Sequence, residues 1–151
     1  MPSRRPPTAV IGWREWVSLP ELGVSSIRAK VDTGARTAAL HAFGLELTEL
    51  DGTTMARFAV HPDHRRPGPA VVVEVPVVGE RRVKNPGGRA ELRPLIRTRL
   101  AIGPYEFETD VTLTRRDEMG FPMLLGRQTV RGRFLVDPGR SYLVGKPPEG
   151  D

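Results

Sequence analysis

The sequence predicts an all-β domain, and three observations point to that class. Its 16 glycines and 15 prolines make up about a fifth of the chain, which favours turns over long helices. Short segments rich in β-branched and apolar residues recur at intervals of about ten residues. Turn-forming pairs such as Asp51-Gly52 and Gly103-Pro104 separate them. Strands and turns in this arrangement are typical of a barrel or a sandwich.

The strand candidates follow one another along nearly the whole chain. The first covers residues 10–19 and stops at Pro20, and the second, 24–31, leads directly into Asp32. The remaining strand candidates are residues 45–50, 55–60, 71–78, 95–102, 105–113, 123–125, 134–136 and 142–144. Helical patterns occur only at 36–42 and 126–130, so we expect one or two short helices.

The length of 151 residues fits a single domain, which we place at residues 10–146. Residues 1–9 and 147–151 are expected to be flexible tails. No apolar run is long enough to cross a membrane, and no apolar signal segment follows the basic, proline-rich residues 1–7. We therefore expect a cytoplasmic protein without a membrane partner.

Composition excludes several kinds of site. The absence of cysteine rules out a disulfide framework, a thiolate zinc site and a cysteine nucleophile. No HExxH motif and no GxxxxGK[ST] loop is present. We expect no cofactor and no metal. One alternative stays open, a zinc site at His61 and His64, although the following Arg65 and Arg66 disfavour a dication.

The net charge of +5 has an uneven distribution. Residues 81–99 contain seven basic side chains and one acidic side chain, Glu91. Such a segment is commonly a solvated hairpin, but it could also be a flap whose Arg81, Arg82 and Lys84 bind acidic peptides. Residues 60–71 are the other flap candidate. Nucleic-acid binding is less well supported, because the segment has no aromatic residue on which bases would stack.

The most specific signal is Asp32-Thr33-Gly34 at the end of the second strand candidate. Glycine permits a sharp turn that brings backbone amides close to a carboxylate, and the threonine hydroxyl can brace the loop. Two such loops, facing each other, would hold two carboxyl groups too close to ionise together, so that one is protonated and the other activates water. An ordinary turn is the alternative, since these residues are all favoured in turns.

Four stretches give the chain its resemblance to a known family: IGWREWVSLP (11–20), AKVDTGART (29–37), FPMLLGR (121–127) and RGRFLVDP (131–138). Together they resemble the bacterial retropepsin-like peptidases often labelled ATP-dependent zinc proteases. The resemblance implies a closed retropepsin-like (acid protease) barrel with Asp32 as the catalytic residue. It also implies that Thr33, Gly34 and Ala35 support the active-site loop. Leu124, Leu125 and Gly126 would form the element that packs behind that loop.

The resemblance also predicts partners. With one aspartate loop per chain, a retropepsin-like peptidase acts as a homodimer. Relatives are associated with ATP-grasp glutamate ligases, so the expected substrate is a peptide or protein with an acidic, glutamate-rich tail. The alternative is a binding module without proteolytic activity that regulates such a ligase.

Two positions depart from the family pattern. The family is expected to have serine where this chain has Ala38. In viral retropepsins the arginine after the apolar element pairs with an acidic residue four positions beyond the catalytic aspartate. Here those positions are Arg127 and Arg36, which have like charge, so the loop must be supported differently.

Overall fold

The computed structural model describes residues 9–62, 70–84, 87–115 and 120–144. These residues form eleven β-strands, a single 3-10 turn and one four-residue helix, which confirms the all-β prediction. The elements are β1 (Ala9–Leu19), β2 (Val24–Val31), β3 (Ala38–His41), β4 (Phe43–Leu50), β5 (Thr53–Val60), β6 (Val71–Pro76), β7 (Gly79–Lys84), β8 (Ala90–Ile102), β9 (Tyr105–Thr114), β10 (Met123–Leu125), α1 (Arg127–Val130) and β11 (Phe134–Ser141). None of the helical residues in these ranges forms a segment with the length and apolar character of a membrane span.

Eight strands form one mixed sheet in the order β11-β1-β2-β10-β3-β9-β8-β7, and β4, β5 and β6 form a separate antiparallel sheet. Three neighbouring pairs in the large sheet are parallel: β1 with β11, β2 with β10, and β3 with β9. Strands β1 and β8 also meet at Ser18 and Ala101, although they are not neighbours in the linear order. The short strand β10 therefore lies between β2 and β3, where it links the start of the sheet to its middle.

One hydrophobic cluster joins both sheets. Its completely buried side chains include Ile11, Ile27 and Leu100 from the large sheet and Ala56 and Val60 from the small one. Burial alternates in the middle of β9, where Thr109 and Val111 are buried on either side of the half-buried Asp110, as expected when one face of a strand packs on a core. The end of β9, from Val111 to Thr114, is buried at every position. The small sheet thus packs on the same core as the large sheet.

The structure corrects three local predictions. Residues 36–42 were predicted to be helical, but Ala38–His41 is strand β3, which pairs with β10 on one side and β9 on the other. All four residues of β3 are buried. Because a strand covered on both faces has no polar–apolar alternation, its sequence cannot be told from a short buried helix.

The other two corrections concern the ends of the sheet. Strand β7 was not predicted, because its sequence GERRVK is mostly charged, as is common for edge strands. The last strand candidate, 142–144, is not a strand. Instead, β11 extends to Ser141, and Tyr142 then adopts a positive φ of 55°, which ends the regular pairing.

A buried carboxylate holds the C-terminal segment against β1. Glu15 is completely buried, and its oxygens accept hydrogen bonds from the amides of Gly12 at 2.6 Å, Leu143 at 2.9 Å and Val144 at 3.2 Å. The adjacent Tyr142 ring stacks on Trp16 with 6.1 Å between the ring centroids. A buried carboxylate is stable only with such partners, so Glu15 connects the two ends of the described chain.

Replacing Glu15 with glutamine should therefore destabilise the fold. The side-chain amide group of glutamine would face a backbone N–H group that now donates to a carboxylate oxygen, and at least one buried donor would lose its acceptor. We expect the free energy of unfolding, measured by urea denaturation, to fall by about 2 kcal/mol. Glu46→Gln is the matched control, because Glu46 is exposed. Equal unfolding midpoints for the two variants would contradict this role of Glu15.

Candidate active site

Asp32 lies immediately after β2, beside the end of β10. The two strands are parallel there, with Val31 opposite Leu125. The amide of Asp32 donates a hydrogen bond of 2.9 Å to the carbonyl oxygen of Leu125. Its side chain is half-buried. The end of one strand is thus fixed by the end of another strand that lies more than ninety residues later in the chain.

The loop after β2 turns back onto the Asp32 carboxylate. The amide of Gly34 donates to Asp32 Oδ1 at 2.9 Å, and the amide of Ala35 donates to the Asp32 carbonyl at 3.1 Å. A Cβ atom at Gly34 would lie 3.1 Å from Asp32 Oδ1, which is tighter than ordinary contact. Asp32 Oδ2 has no hydrogen-bond partner among the residues that the structure describes, so one oxygen is positioned while the other can take part in chemistry.

Thr33 and Gly34 are exposed at the tip of this loop. The Thr33 hydroxyl makes no hydrogen bond with any described residue. The tip therefore has polar groups available to a molecule outside the chain.

The Leu124-Leu125-Gly126 element packs directly behind the loop. Leu124 lies opposite Lys30 of β2 and Ala39 of β3, and Leu125 is buried. A Cβ atom at Gly126 would lie 2.6 Å from the carbonyl carbon and oxygen of Thr37, a distance at which a side chain does not fit. Glycine is therefore required for this close approach of two backbones.

The start of α1 completes the support of the loop. The amides of Arg127 and Gln128 donate to the carbonyl oxygens of Ala35 at 2.8 Å and of Arg36 at 3.0 Å. The Arg127 guanidinium donates to the carbonyl oxygen of Gly34 at 3.1 Å. Arg127 thus stabilises the loop through a backbone carbonyl, and no acidic side chain is needed at position 36.

The other departure from the family pattern, Ala38, is completely buried in β3. Its carbonyl oxygen accepts a hydrogen bond of 3.1 Å from the Thr112 hydroxyl. The position therefore belongs to the packed sheet beneath the cleft.

A cleft of about 480 Å³ opens above Asp32, within the usual range for ligand sites. The residues from the aspartate loop, β2 and β3 form its floor, and β7 forms one wall. Arg81, Arg82 and Lys84 line this cleft together with Asp32, although about fifty residues separate them in the sequence. The described residues of the other flap candidate, residues 60–62 and 70–71, do not line it.

The cleft is strongly basic. Asp32 is the only acidic residue among the described residues that line it, whereas the basic ones are Lys30, Arg36, Arg81, Arg82, Lys84 and Arg93. The sequence interpretation did not single out Lys30, Arg36 or Arg93 as binding residues. Lys30 and Arg36 flank the aspartate loop, and that position was a signal that could have identified them.

Two other cations of segment 81–99, Arg97 and Arg99, are paired outside the cleft. Arg97 contacts Asp110 at 2.9 Å and Glu108 at 3.0 Å, and the hydrogen bonds to Asp110 and then Glu108 raise the pKa of the Arg97 guanidinium. Arg99 pairs with Glu106. These residues form a ladder of ion pairs across β8 and β9.

Inside the cleft, pairing is uneven. Arg93 contacts Glu91 at 2.7 Å, and Arg81 lies 3.9 Å from Asp110. Lys30, Arg36, Arg82 and Lys84 make no ion pair with any residue that the structure describes. These four cations therefore line the same cleft as Asp32.

The two described histidines, His41 and His61, do not line the cleft. His41 is buried, with its ring centroid 3.9 Å from that of Phe43, and Phe43 also contacts His61 at 4.2 Å. His64 lies outside the described residues, so the zinc alternative at His61 and His64 is not tested. Within the described ranges, no three histidine, aspartate or glutamate side chains cluster as metal ligands.

Comparisons with known proteins agree with this geometry. A family model described as "Retropepsin-like aspartic endopeptidase RimB" matches residues 10–147. A solved structure of a protein of unknown function from Legionella pneumophila has a TM-score of 0.72 and 29% sequence identity, and the match covers 90% of this chain and 98% of that one.

Curated relatives are named differently. A probable alpha-L-glutamate ligase from Desulfotalea psychrophila is 39% identical over 137 residues, which cover 91% of this chain and 30% of the relative. One from Parasynechococcus marenigrum is 42% identical over 136 residues, which cover 90% of this chain and 29% of the relative. The chain thus spans less than a third of the length of these relatives.

The contact between Gly126 and Thr37 predicts the effect of adding one methyl group. Gly126→Ala should push β10 and α1 away from the loop and lower the free energy of unfolding by about 3 kcal/mol. Urea denaturation measures the loss, and amide exchange at Ala35 and Arg127 reports whether the loop opens.

Gly139→Ala is the control. An added Cβ atom there would meet Asp137 at an ordinary 3.6 Å. If the two alanine variants were equally stable, with equal protection at Ala35 and Arg127, the packing argument would be wrong.

Proposed function

Because the chain belongs to the family of retropepsin-like aspartic endopeptidases described as RimB, we propose that it is an aspartic endopeptidase and that Asp32 activates the attacking water. The observation that carries this proposal is the position of Asp32 in a cleft of ligand size, with Oδ1 held by the Gly34 amide. Oδ2 is without a partner among the described residues and is available for proton transfer.

The proposed active unit is a homodimer. Aspartic peptidase chemistry needs two carboxyl groups about 3 Å apart that share a proton. Asp32 is the one carboxylate among the described residues that line the cleft, so the second is Asp32 of another copy. The exposed Thr33 and Gly34 would meet their counterparts at the two-fold axis. We also propose that the contact of Ser18 with Ala101 marks the closure of the large sheet into a retropepsin-like barrel.

The proposed reaction is a direct hydrolysis. The ionised Asp32 of one copy takes a proton from water as the oxygen attacks the scissile carbonyl carbon. The protonated Asp32 of the other copy donates its proton to the carbonyl oxygen, which gives a neutral tetrahedral diol. In the second step, the Asp32 carboxylate of the second copy, now ionised, takes a proton from a diol hydroxyl. The Asp32 carboxyl of the first copy, now protonated, donates its proton to the amide nitrogen, and the C–N bond breaks.

The proposed substrate is an acidic peptide or protein tail, cleaved in the cytoplasm. The cleft concentrates cations that are not paired within the described chain, and such a surface attracts and orients carboxylate-rich chains. The names of the curated relatives support glutamate as the relevant residue and a glutamate ligase as a partner. On this proposal, the hairpin of β7 and β8 acts as the flap.

A binding module that regulates a glutamate ligase is the second candidate. It is favoured by the relatives themselves, in which a domain similar to this chain accounts for less than a third of a protein named as a ligase. A binding module would use the basic cleft but would not need the Asp32 carboxylate. The two candidates therefore differ in what the carboxylate does.

The Asp32→Asn variant distinguishes the peptidase from the binding module. Asparagine preserves the size of the side chain and the hydrogen bond from Gly34 but cannot take a proton from water. Cleavage of a fluorogenic peptide with six glutamates should fall by about 10³-fold or more, with little change in thermal stability.

Asp51→Asn is the control, because Asp51 lies in an exposed turn away from the cleft. Full cleavage by the Asp32 variant would rule out the peptidase assignment. Absence of cleavage by the unmodified chain, together with binding of the peptide, would favour the binding module.

The basic wall should determine the preference for acidic peptides. Arg82→Gln/Lys84→Gln removes two exposed cations from the cleft and should raise the KM for the glutamate peptide by about tenfold, with little change in kcat. Arg57→Gln/Arg140→Gln removes the same charge from exposed positions outside the cleft and should leave KM unchanged. Equal effects of the two double variants would mean that only overall charge matters.

A further inference from the structure

The charge distribution around Asp32 has a consequence for the proposed homodimer. Four cations of the cleft have no ion pair among the described residues: Lys30, Arg36, Arg82 and Lys84. Among the described residues that line the cleft, Asp32 is the only acidic one, and in a shared dyad one of the two carboxyl groups is neutral. A dimer built around this loop therefore has a large excess of positive charge at its centre.

Arg36 lies four residues after Asp32, on the same loop. Four residues of extended chain span at most about 14 Å, and the loop is folded back on Asp32 by hydrogen bonds from Gly34 and Ala35. When the two Asp32 carboxyl groups approach to about 3 Å, the two loops that carry Arg36 are brought together as well. Arg127, which donates to Gly34 on the same loop, adds another cation from each copy.

The like charges oppose association of the two copies, because such repulsion lowers affinity unless counter-charges intervene. No described acidic residue of the loop offsets them. The described residues that line the cleft do not supply the negative charge that would offset these cations, and a carboxylate-rich peptide bound in the cleft would supply it.

We propose that an acidic peptide is the bridging ligand that makes two copies of this chain associate, and that Arg36 and Lys30 form the charge barrier that keeps the copies apart without it. This inference rests on the proposed homodimer and adds its regulation. The peptidase is assembled by its own substrate, so that the dyad forms only where acidic tails are present. A ligand that binds the dimer more tightly than the monomer strengthens association by mass action.

Sedimentation velocity tests the inference. Every protein carries Asp32→Asn, so that the peptide stays intact, and the probes are hexaglutamate and hexaglutamine at about 0.15 M salt. Hexaglutamate should lower the dimer dissociation constant by about tenfold or more, and hexaglutamine should not change it. Without peptide, added salt should strengthen the dimer, because it screens like charges.

Charge variants give a second, independent readout. Lys30→Gln/Arg36→Gln should dimerise more tightly than the parent without peptide, and hexaglutamate should then have a much smaller effect. Arg57→Gln/Arg140→Gln, which removes two exposed cations outside the cleft, should behave like the parent. Equal dimerisation of the two double variants without peptide would overturn the barrier assigned to Lys30 and Arg36.

The outcomes distinguish this inference from the proposed function. If the dimer is equally stable with and without hexaglutamate while the unmodified chain cleaves the peptide, the inference is wrong and the peptidase proposal stands. If hexaglutamate drives dimerisation but the unmodified chain cleaves nothing, the peptidase proposal is wrong and peptide-driven association stands. Cleavage by a chain that stays monomeric with bound hexaglutamate would contradict both the homodimer and the inference.

Discussion

The close packing of Gly126 on the backbone of Thr37 is the constraint on which the site depends. With no side chain at Gly126, the end of β10 can lie directly behind the aspartate loop. Two sets of backbone hydrogen bonds then become possible, one from Asp32 to Leu125 and one from Arg127 to Ala35. The carboxylate is positioned by backbone on both sides, and its geometry depends little on flexible side chains.

The same arrangement determines the electrostatics of the cleft. Because β3 pairs with β9, and β9 with β8, residues of β7 and β8 line the same cleft as the aspartate loop. The acidic residues of β9 neutralise the arginines of β8 that point away from the cleft, among them Arg97 and Arg99. The cations nearest Asp32 are not neutralised in this way. Arg97 and Arg99 are therefore compensated outside the cleft, whereas Arg82 and Lys84 inside it have no ion pair among the described residues.

Sequence reasoning located the parts of the site that have a local chemical signature. Asp32-Thr33-Gly34 was identified because an aspartate followed by glycine at the end of an apolar strand is typical of a tight active-site turn. Leu124-Leu125-Gly126 was identified through the family resemblance. Arg93 was not identified, since its place in the cleft depends on how β8 pairs with its neighbours. Lys30 and Arg36 were also missed, although they flank the aspartate loop in the sequence. The sequence predicts a helix where the structure has strand β3, because Ala38–His41 is buried on both faces and has no alternation of polar and apolar residues. Which strands pair with each other depends on residues far apart in the chain, so no local sequence pattern predicts it.

The hydrogen bonds of Arg127 and Gln128 explain why this chain can have an arginine at position 36, where viral retropepsins have an acidic residue. An acidic residue at this position would be needed only if Arg127 required a carboxylate partner. Here the Arg127 guanidinium donates to the carbonyl oxygen of Gly34, and the Gln128 amide donates to the carbonyl oxygen of Arg36 itself. The loop is therefore supported through its backbone, and the side chain at position 36 is exposed and unconstrained. An arginine at position 36 adds to the positive charge of the cleft. The absence of an ion pair between positions 36 and 127 and the basic character of the cleft therefore have the same structural origin.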